Sequence, residues 1–422
     1  MTNRILFCAF FFLGIACTKK SSPDKIAFSD EIVLGMDLTE KELYNKVLGM
    51  IVGSAIGDAM GAPTEMWSRA QINEEYGFVK DLDSMFREAS PEGIWIPDLP
   101  AGGTTDDTRW KILTTDYLLT QSQESLEAKD FAKHILDQYN SFSEELQFID
   151  STDIASQEAI QLKMLWLQEW AKVSAPFISN NLPAYADSLG KFYGGEMVCA
   201  GLLYASAIGS FFPGNPEKAY QEAYKLSIYD LGYAKDLTAI AAAMTAAGMT
   251  RGANVDSIKK ALKIDPQNYF ESRLVGRSAD VWIKEAMRIT EEAENLDSLP
   301  RGLNANDSAL LFAFSQLDSK QQDMPFHAGE IFLQTLTAMM YTDFDFIGTL
   351  IFLTNYGRDN DTTAALAGGI LGAWYGFENI PLKERNQVLE VGKNILGQDL
   401  ELKAKEFTFH LIQNKKALNS KE

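Results

Sequence analysis

Residues 43–61 read LYNKVLGMIVGSAIGDAMG. Apolar residues recur in this stretch at steps of three and four, which is the spacing of one helix face: Leu43, Val47, Met50 and Ile51. Glycines recur at every fourth position, so on a helix they form a stripe without side chains: Gly49, Gly53, Gly57 and Gly61. Because glycine costs a helix about 1 kcal/mol relative to alanine, this repetition indicates close backbone packing against a second helix.

The rest of the chain continues the helical pattern. Two Ala- and Leu-rich stretches favour helix by propensity, Asp236–Met249 and His327–Met340, and strand signals are sparse. A second glycine stripe lies near the C-terminus, at Gly368, Gly372 and Gly376. Clusters of Pro, Gly, Asn and Asp predict loops at Pro91–Gly103, Ser174–Gly195 and Leu296–Asp307. We therefore predict an all-α fold in which residues 37–422 form one large domain.

The charge balance excludes one class of partner. The chain has 58 acidic and 38 basic residues, a net charge of −20, and no block of five or more lysines and arginines. Such a surface repels phosphate backbones, so we expect no nucleic-acid partner. The hydrophobic fraction of 46% is normal for a packed globular protein.

The N-terminus has the pattern of an export signal. Arg4 precedes an apolar run from Ile5 to Ile15, which is too short to span a bilayer but suits a signal peptide. Ala16 and Cys17 follow, as at the cleavage site of a bacterial lipoprotein, although Gly14 stands where leucine is usual. We predict a signal peptide over residues 1–16 and lipidation of Cys17; a plain signal peptide is the alternative.

This assignment predicts a location. Residues 17–36 would form a tether after the lipidated Cys17, and the protein would be exported to the periplasm of a bacterium. Contact with a membrane is expected only through the N-terminal lipid. Cys199 would then be the single remaining thiol of the mature chain, which excludes an internal disulfide and a cysteine-based zinc site.

Acidic residues and threonines are concentrated in three segments. They are Gly57–Glu65 (GDAMGAPTE), Gly103–Thr108 (GTTDDT) and Gly357–Thr363 (GRDNDTT). Hard divalent cations prefer oxygen ligands, and neighbouring aspartates repel each other unless a cation lies between them. Aspartate and threonine before a helix are also what N-capping selects, so each segment taken singly is compatible with capping alone.

The three segments in this order resemble the ADP-ribosylglycohydrolases. The matching motifs are G-D-A-x-G-x-P-x-E, T-D-D-T and G-x-D-x-D-T, and the resemblance spans about Leu43 to Gly376. It implies a single large all-α domain of the orthogonal helical type. It also implies hydrolysis of an N- or O-glycosidic bond at the ribose of an ADP-ribosyl-type substrate, which is either a small molecule or a modified protein. Two divalent cations, Mg²⁺ or Mn²⁺, are the implied cofactors, and we expect a monomer.

The resemblance assigns roles to individual residues. The implied metal ligands are Thr105, Asp106, Asp107, Asp359, Asp361 and Thr362, with Asp361 bridging both ions. Glu65 and Asp106 are the candidates for catalytic proton transfer, and the sequence leaves the choice between them open. Asp58 is expected near the ions and is assigned to substrate binding.

A mid-chain segment of the family, N-G-x-x-M-R, contacts substrate. Its counterpart here is Tyr193–Val198, with the sequence YGGEMV. Gly194, Gly195 and Glu196 are therefore assigned to substrate binding, and valine replaces the arginine of the motif.

Two other interpretations remain open at this stage. One is a lipoprotein that captures a ligand on the same fold without catalysis, although a pure binder has no need for four aspartates in the two motifs. The other is a different dinuclear-metal hydrolase that acts on a nucleoside or a phosphoester.

Overall fold

The computed structural model describes residues 26–266, 274–296 and 303–419, and over these the predicted all-α fold is confirmed. The predicted signal peptide and Cys17 lie outside the described residues. The helices are α1 (Glu40–Gly61), α2 (Arg69–Glu75), α3 (Asp106–Leu118), α4 (Ala128–Phe148), α5 (Ile154–Ile178), α6 (Leu182–Lys191), α7 (Ala205–Phe211), α8 (Pro216–Leu226), α9 (Ala234–Gly248), α10 (Val255–Ala261), α11 (Ser278–Glu294), α12 (Ser308–Asp318), α13 (Ala328–Tyr341), α14 (Phe346–Tyr356), α15 (Asn360–Tyr375), α16 (Leu382–Asn394) and α17 (Leu400–Asn419). Two short strands accompany them, β1 (Trp67–Ser68) and β2 (Gly357–Arg358).

Helices α1 and α15 pack antiparallel with their backbones in contact. A Cβ atom on Gly53 would lie 2.4 Å from the carbonyl oxygen of Gly368, and one on Gly372 would lie 2.1 Å from that of Gly49. At Gly57 the nearest atom would be the carbonyl oxygen of Ala364, at 2.0 Å. No side chain fits at such distances, which confirms the close packing predicted from the glycine stripe. As a result, the end of α1 meets the beginning of α15.

The second glycine stripe is shorter than predicted. Gly376 follows α15 instead of continuing it, with φ 76°, a left-handed conformation that favours glycine. Its α-carbon faces the side chain of Asn45, where a Cβ atom would lie 2.4 Å from the amide nitrogen. Gly376 therefore ends the helix, and the stripe of α15 consists of Gly368 and Gly372.

Strands β1 and β2 hold the segment after α1 against the segment before α15. Trp67 pairs with Arg358, and Ser68 pairs with Gly357, in an antiparallel register. Gly357 has φ 88°, and a Cβ atom there would lie 2.6 Å from the carbonyl oxygen of Trp67. This two-residue ladder fixes where Glu65 lies relative to Asp359.

The loop predicted at Ser174–Gly195 is wrong for most of its length. Helix α5 continues to Ile178, and α6 occupies Leu182–Lys191. The polar residues that suggested a loop are start signals for α6, because the side chain of Asn181 accepts a hydrogen bond from the Ala184 N–H and a proline lies in the first turn.

The described part of the predicted tether belongs to the folded domain. Phe28 stacks on Tyr44 with ring centroids 4.8 Å apart, Val33 is buried, and Ile32 pairs with Thr39. Apolar side chains before residue 37 account for this packing, and the domain boundary at residue 37 stays a prediction.

Among the described residues, one segment is long and apolar enough to cross a membrane, residues 40–64, which contain α1. Its apolar window is entirely buried inside the protein, and the core helix of a soluble protein passes the same test.

Candidate active site

The contact between α1 and α15 brings three acidic residues together. Glu65 follows a short 3-10 turn (Ala62–Thr64) at the end of α1, and Asp359 and Asp361 lie at the start of α15. One carboxylate oxygen from each of the three residues lies within 4.8 Å of the other two. Residues almost 300 positions apart thus present oxygens to one point.

Asp359 and Asp361 are almost completely buried, and burial is the main cause that raises the pKa of each. The pKa of Asp359 is raised to about 7, and that of Asp361 lies well above its usual range, with Glu65 as its second cause. The side chain of Asp359 forms no cap hydrogen bond to α15. Capping alone therefore does not account for Asp359. Clustered oxygens that lack positive charge fit a divalent cation, which prefers hard oxygen ligands.

Asp58 accepts hydrogen bonds from the start of α3, a structural role that its sequence motif does not indicate. Its Oδ1 accepts a hydrogen bond of 2.9 Å from the N–H of Thr105, and its Oδ2 accepts bonds of 2.9 Å and 2.6 Å from the N–H and hydroxyl of Thr108. The carboxylate is fully buried and anchors the N-terminus of α3, as anions at helix starts do. Its pKa is raised to about 6 by burial and then by Asp107, against the hydrogen bonds. Both oxygens of Asp58 bond to the start of α3, and its assignment to substrate binding stays a prediction.

Both carboxylate oxygens of Asp107 also have protein partners. Oδ1 lies 2.9 Å from the ammonium of Lys111, one helical turn further along α3, and Oδ2 accepts a hydrogen bond of 2.9 Å from the hydroxyl of Thr362. The exposed fractions of the Lys111 and Asp107 side chains are 2% and 1%, so the ion pair is buried. The hydroxyl of Thr105 lies 3.0 Å from Asp58 Oδ1 and 3.2 Å from Asp361 Oδ2.

Asp106 differs from its neighbour. Among the described residues, none donates a hydrogen bond to its carboxylate, which lines a cleft. Burial and then Asp107 raise its pKa well above the usual range, and the charge of Arg109 opposes them. Asp106 is thus the acidic group of α3 that a ligand in the cleft can reach.

The cleft has a volume of about 100 Å³ and two unlike walls. The acidic wall consists of Glu65, Glu92, Asp106, Asp359, Asp361 and Thr362. The other wall is apolar, and half of its residues are aromatic: Trp110, Trp170, Tyr193, Val198, Cys199, Ala200, Leu203 and Phe326. Trp110 and Trp170 support each other with ring centroids 4.0 Å apart. Such a wall suits a flat ring, and the acidic wall suits a polyol or a cation.

The mid-chain segment places one residue in the cleft and three outside its lining. The backbone is left-handed at Tyr193, Gly194 and Gly195, with φ 43°, 76° and 85°. Tyr193 lines the cleft, whereas Gly194, Gly195 and Glu196 are exposed and outside its lining. The assignment of Gly194, Gly195 and Glu196 to substrate binding stays a prediction, and the turn geometry shows that Tyr193 is the residue of this segment's start that faces the cleft.

Three cationic residues near the site were missed by sequence reasoning. Arg87 donates hydrogen bonds to a Glu65 oxygen and to the carbonyl of Ala62. Lys111 pairs with Asp107, as described above. Arg109 donates to the carbonyls of residues 91, 92 and 93, and its guanidinium lies 4.1 Å from the ring of Trp95. Arg109 and Lys111 lie within three residues after the T-D-D-T motif, and this position could have indicated that they are near the site. Nothing in the sequence relates Arg87 to Glu65.

Comparison with known proteins identifies the family. The sequence model described as ADP-ribosylglycohydrolase matches residues 39–416. This chain belongs to the ADP-ribosylglycohydrolase family. Membership places it among hydrolases, and the recognition made from the three motifs is confirmed.

Two further similarities to known proteins were found. The uncharacterized protein YegU of Escherichia coli (strain K12) is 28% identical over 92 residues, which cover 22% of this chain and 26% of YegU. The match thus spans about a quarter of the length of that relative. A solved structure described as an ADP-ribosylglycohydrolase-related protein complex superposes with a TM-score of 0.50 at 17% identity, covering 89% of this chain and 99% of that one. At this identity the likeness shows the fold alone.

Proposed function

We propose that this protein hydrolyses the glycosidic bond at the ribose of an ADP-ribosyl-type substrate in a reaction that depends on divalent cations. The observation that carries the proposal is the convergence of Glu65, Asp359 and Asp361 at the floor of a cleft with an aromatic wall. A pure binding protein has no need to bury mutually repelling carboxylates beside its ligand.

Glu65, Asp359 and Asp361 would hold a divalent cation, such as Mg²⁺ or Mn²⁺, with Thr362 beside them. The cation would supply activation of a water molecule and orientation of the ribose hydroxyls. The carboxylates around it would stabilise the positive charge that develops at the anomeric carbon as the glycosidic bond breaks. The aromatic wall would hold the flat ring of the substrate.

Asp106 is the better candidate for proton transfer to the leaving group. Its raised pKa favours a protonated carboxyl, and no described side chain binds it. Glu65, in contrast, is held by Arg87 and faces the cation site. We therefore assign Asp106 to proton transfer and Glu65 to cation binding and positioning.

A specific observation favours a nucleoside as a second candidate substrate. Among the described residues that line the cleft there is no lysine or arginine, and Val198 stands where the family motif has arginine. A cleft without a cationic side chain offers a diphosphate no lysine or arginine to pair with. A neutral ribosyl compound needs no such partner.

One assay separates the candidates. Synthetic peptides ADP-ribosylated on arginine or serine, and purine and pyrimidine nucleosides, are incubated with the protein in Mg²⁺ or in chelator. Release of free ADP-ribose that requires Mg²⁺ supports the proposal. Release of base from nucleosides alone favours the second candidate, and binding without any turnover shows a ligand-capture protein.

A further inference from the structure

The cation site has two sides with different surroundings. On the α15 side, Glu65, Asp359 and Asp361 crowd together, and Arg87 binds Glu65 through one oxygen. On the α3 side, a lysine is already in place: Lys111, whose ammonium is 2.9 Å from Asp107. Two divalent cations would need both sides to be open to them.

On the α3 side, Thr105 and Asp107 are satisfied by the protein itself, whereas Asp106 faces the cleft. Asp107 uses one oxygen for Lys111 and the other for the Thr362 hydroxyl, and neither Asp107 nor Thr105 lines the cleft. An ammonium is a compact positive charge, and a buried one is stable only beside its partner. A divalent cation bound to Asp107 would lie next to this ammonium in a medium that screens little, so the two would repel strongly.

The position of Lys111 explains why the pair is buried there. Lys111 follows Asp107 by four residues on α3, so both side chains lie on the same helix face, which points into the protein. The same charge also acts on Asp58, the carboxylate that anchors α3. The positive charge of Lys111 thus acts on Asp107 of α3 and on Asp58 of α1.

We propose that this protein binds one divalent cation, held by Glu65, Asp359 and Asp361, and that the ammonium of Lys111 takes the place of the second cation. This inference rests on the proposed function, because it concerns the same metal centre. Asp107 is then a positioning residue that orients Thr362 through its hydroxyl. Catalysis would then use one divalent cation, and the ammonium of Lys111 beside Asp107 would supply the second positive charge.

The test counts bound ions. The purified full-length protein is loaded with Mn²⁺ and freed of unbound ion by gel filtration. Metal per chain is measured by mass spectrometry, and electron paramagnetic resonance separates isolated from coupled Mn²⁺. We expect one Mn²⁺ per chain with the hyperfine pattern of an isolated ion. Two tightly bound, exchange-coupled ions in the wild-type protein would overturn the inference, and no bound ion would remove the metal centre and the proposed function with it.

Variants test the role of the lysine. Lys111→Met should acquire a second, coupled Mn²⁺, whereas Lys46→Met should keep one; Lys46 is a half-buried lysine that binds backbone carbonyls at the other end of α1. If the Lys111→Met protein folds and still holds a single ion, the proposal that the lysine ammonium replaces the second cation is contradicted. If that variant does not fold, Lys111→Met combined with Asp107→Asn removes both members of the pair. The double variant should bind one Mn²⁺ with the wild-type affinity, and loss of this ion would show Asp107 to be its ligand.

Discussion

The hydroxyl of Thr362 donates a hydrogen bond of 2.9 Å to Asp107, a residue 255 positions earlier in the chain. This bond joins the start of α15 to the first turn of α3. It therefore aligns the α15 carboxylates with Asp106, the acidic residue of α3 that faces the cleft.

Replacement of this hydroxyl should lower stability. Thr362→Val keeps the shape but leaves Oδ2 of Asp107 without its donor, so the free energy of unfolding in chelator should fall by about 1–3 kcal/mol. Thr354→Val is the matched control, because the buried hydroxyl of Thr354 has no hydrogen-bond partner. Denaturant unfolding measures both. Equal stability losses in the two variants would show that the bond contributes nothing specific.

Asp361→Asn should remove the cation site while the fold survives. The loss of a carboxylate that faces two other acidic groups should lower Mg²⁺ affinity by about 100-fold or more and abolish turnover. The rise in melting temperature on adding Mg²⁺ should disappear as well. Asp318→Asn is the control, since Asp318 pairs with Arg69 outside the cleft lining. Wild-type turnover in Asp361→Asn would remove this residue from the centre.

The metal-free protein should lose stability as the pH rises. The pKa of Asp359 is about 7 in the folded protein and about 3.9 in an unfolded chain, so the folded state binds the proton more tightly. Its stabilising contribution is complete below the unfolded value and is lost as the pH rises through the folded value, between about 4 and 7.

Thermal unfolding in chelator across this pH range measures the effect, and Asp359→Asn isolates it. The variant should show a smaller decline in melting temperature than the wild type. Identical pH profiles would indicate that Asp359 does not titrate in this window. Addition of Mg²⁺ should stabilise the wild type most at the alkaline end, where the carboxylate is charged.

The glycine contact should tolerate no side chain. Gly53→Ala would place a Cβ atom 2.4 Å from the Gly368 carbonyl oxygen, so we expect a loss of at least about 2 kcal/mol in the free energy of unfolding. Gly190→Ala is the control in an open helical position with no atom near the added Cβ. It should instead gain up to about 1 kcal/mol. Denaturant midpoints compare the two, and equal behaviour would refute the packing argument.

Lipidation at Cys17 is a proposal that rests on the sequence alone. The wild-type protein should sediment with membranes and incorporate a labelled fatty acid, whereas Cys17→Ala should do neither. Cys199→Ser, which changes the other cysteine of the predicted mature chain, should behave as the wild type. A Cys17→Ala protein that stays in the membrane fraction would argue against the anchor.

Local pattern was sufficient to predict the fold class and the main helix contact. The spacing of apolar residues and glycines in residues 43–61 is a property of one helix, so it can be recognised without its partner. The loop predicted at 174–195 failed because proline, asparagine and aspartate mark helix starts as often as loops. Asn181 shows this, since it caps α6.

The sequence was sufficient to predict which residues form the site but not where their side chains point. The three motifs named the acidic residues that converge, yet sequence spacing could not show that Asp58 faces α3 or that Tyr193, and not Gly194, faces the cleft. Such orientations depend on backbone turns and on partners from distant segments. Lys111 is a further example, because the sequence does not show that it is buried beside Asp107.

The antiparallel contact between α1 and α15 also sets the order of events as the protein matures. Glu65 is made early and Asp359 late, and their oxygens meet only after the glycine faces of both helices have closed on each other. An ion held by all three carboxylates would need both segments in place, so uptake of the proposed cofactor would come late in folding. Opening of the helix contact would scatter the three carboxylates, which would link retention of the ion to the integrity of the whole core.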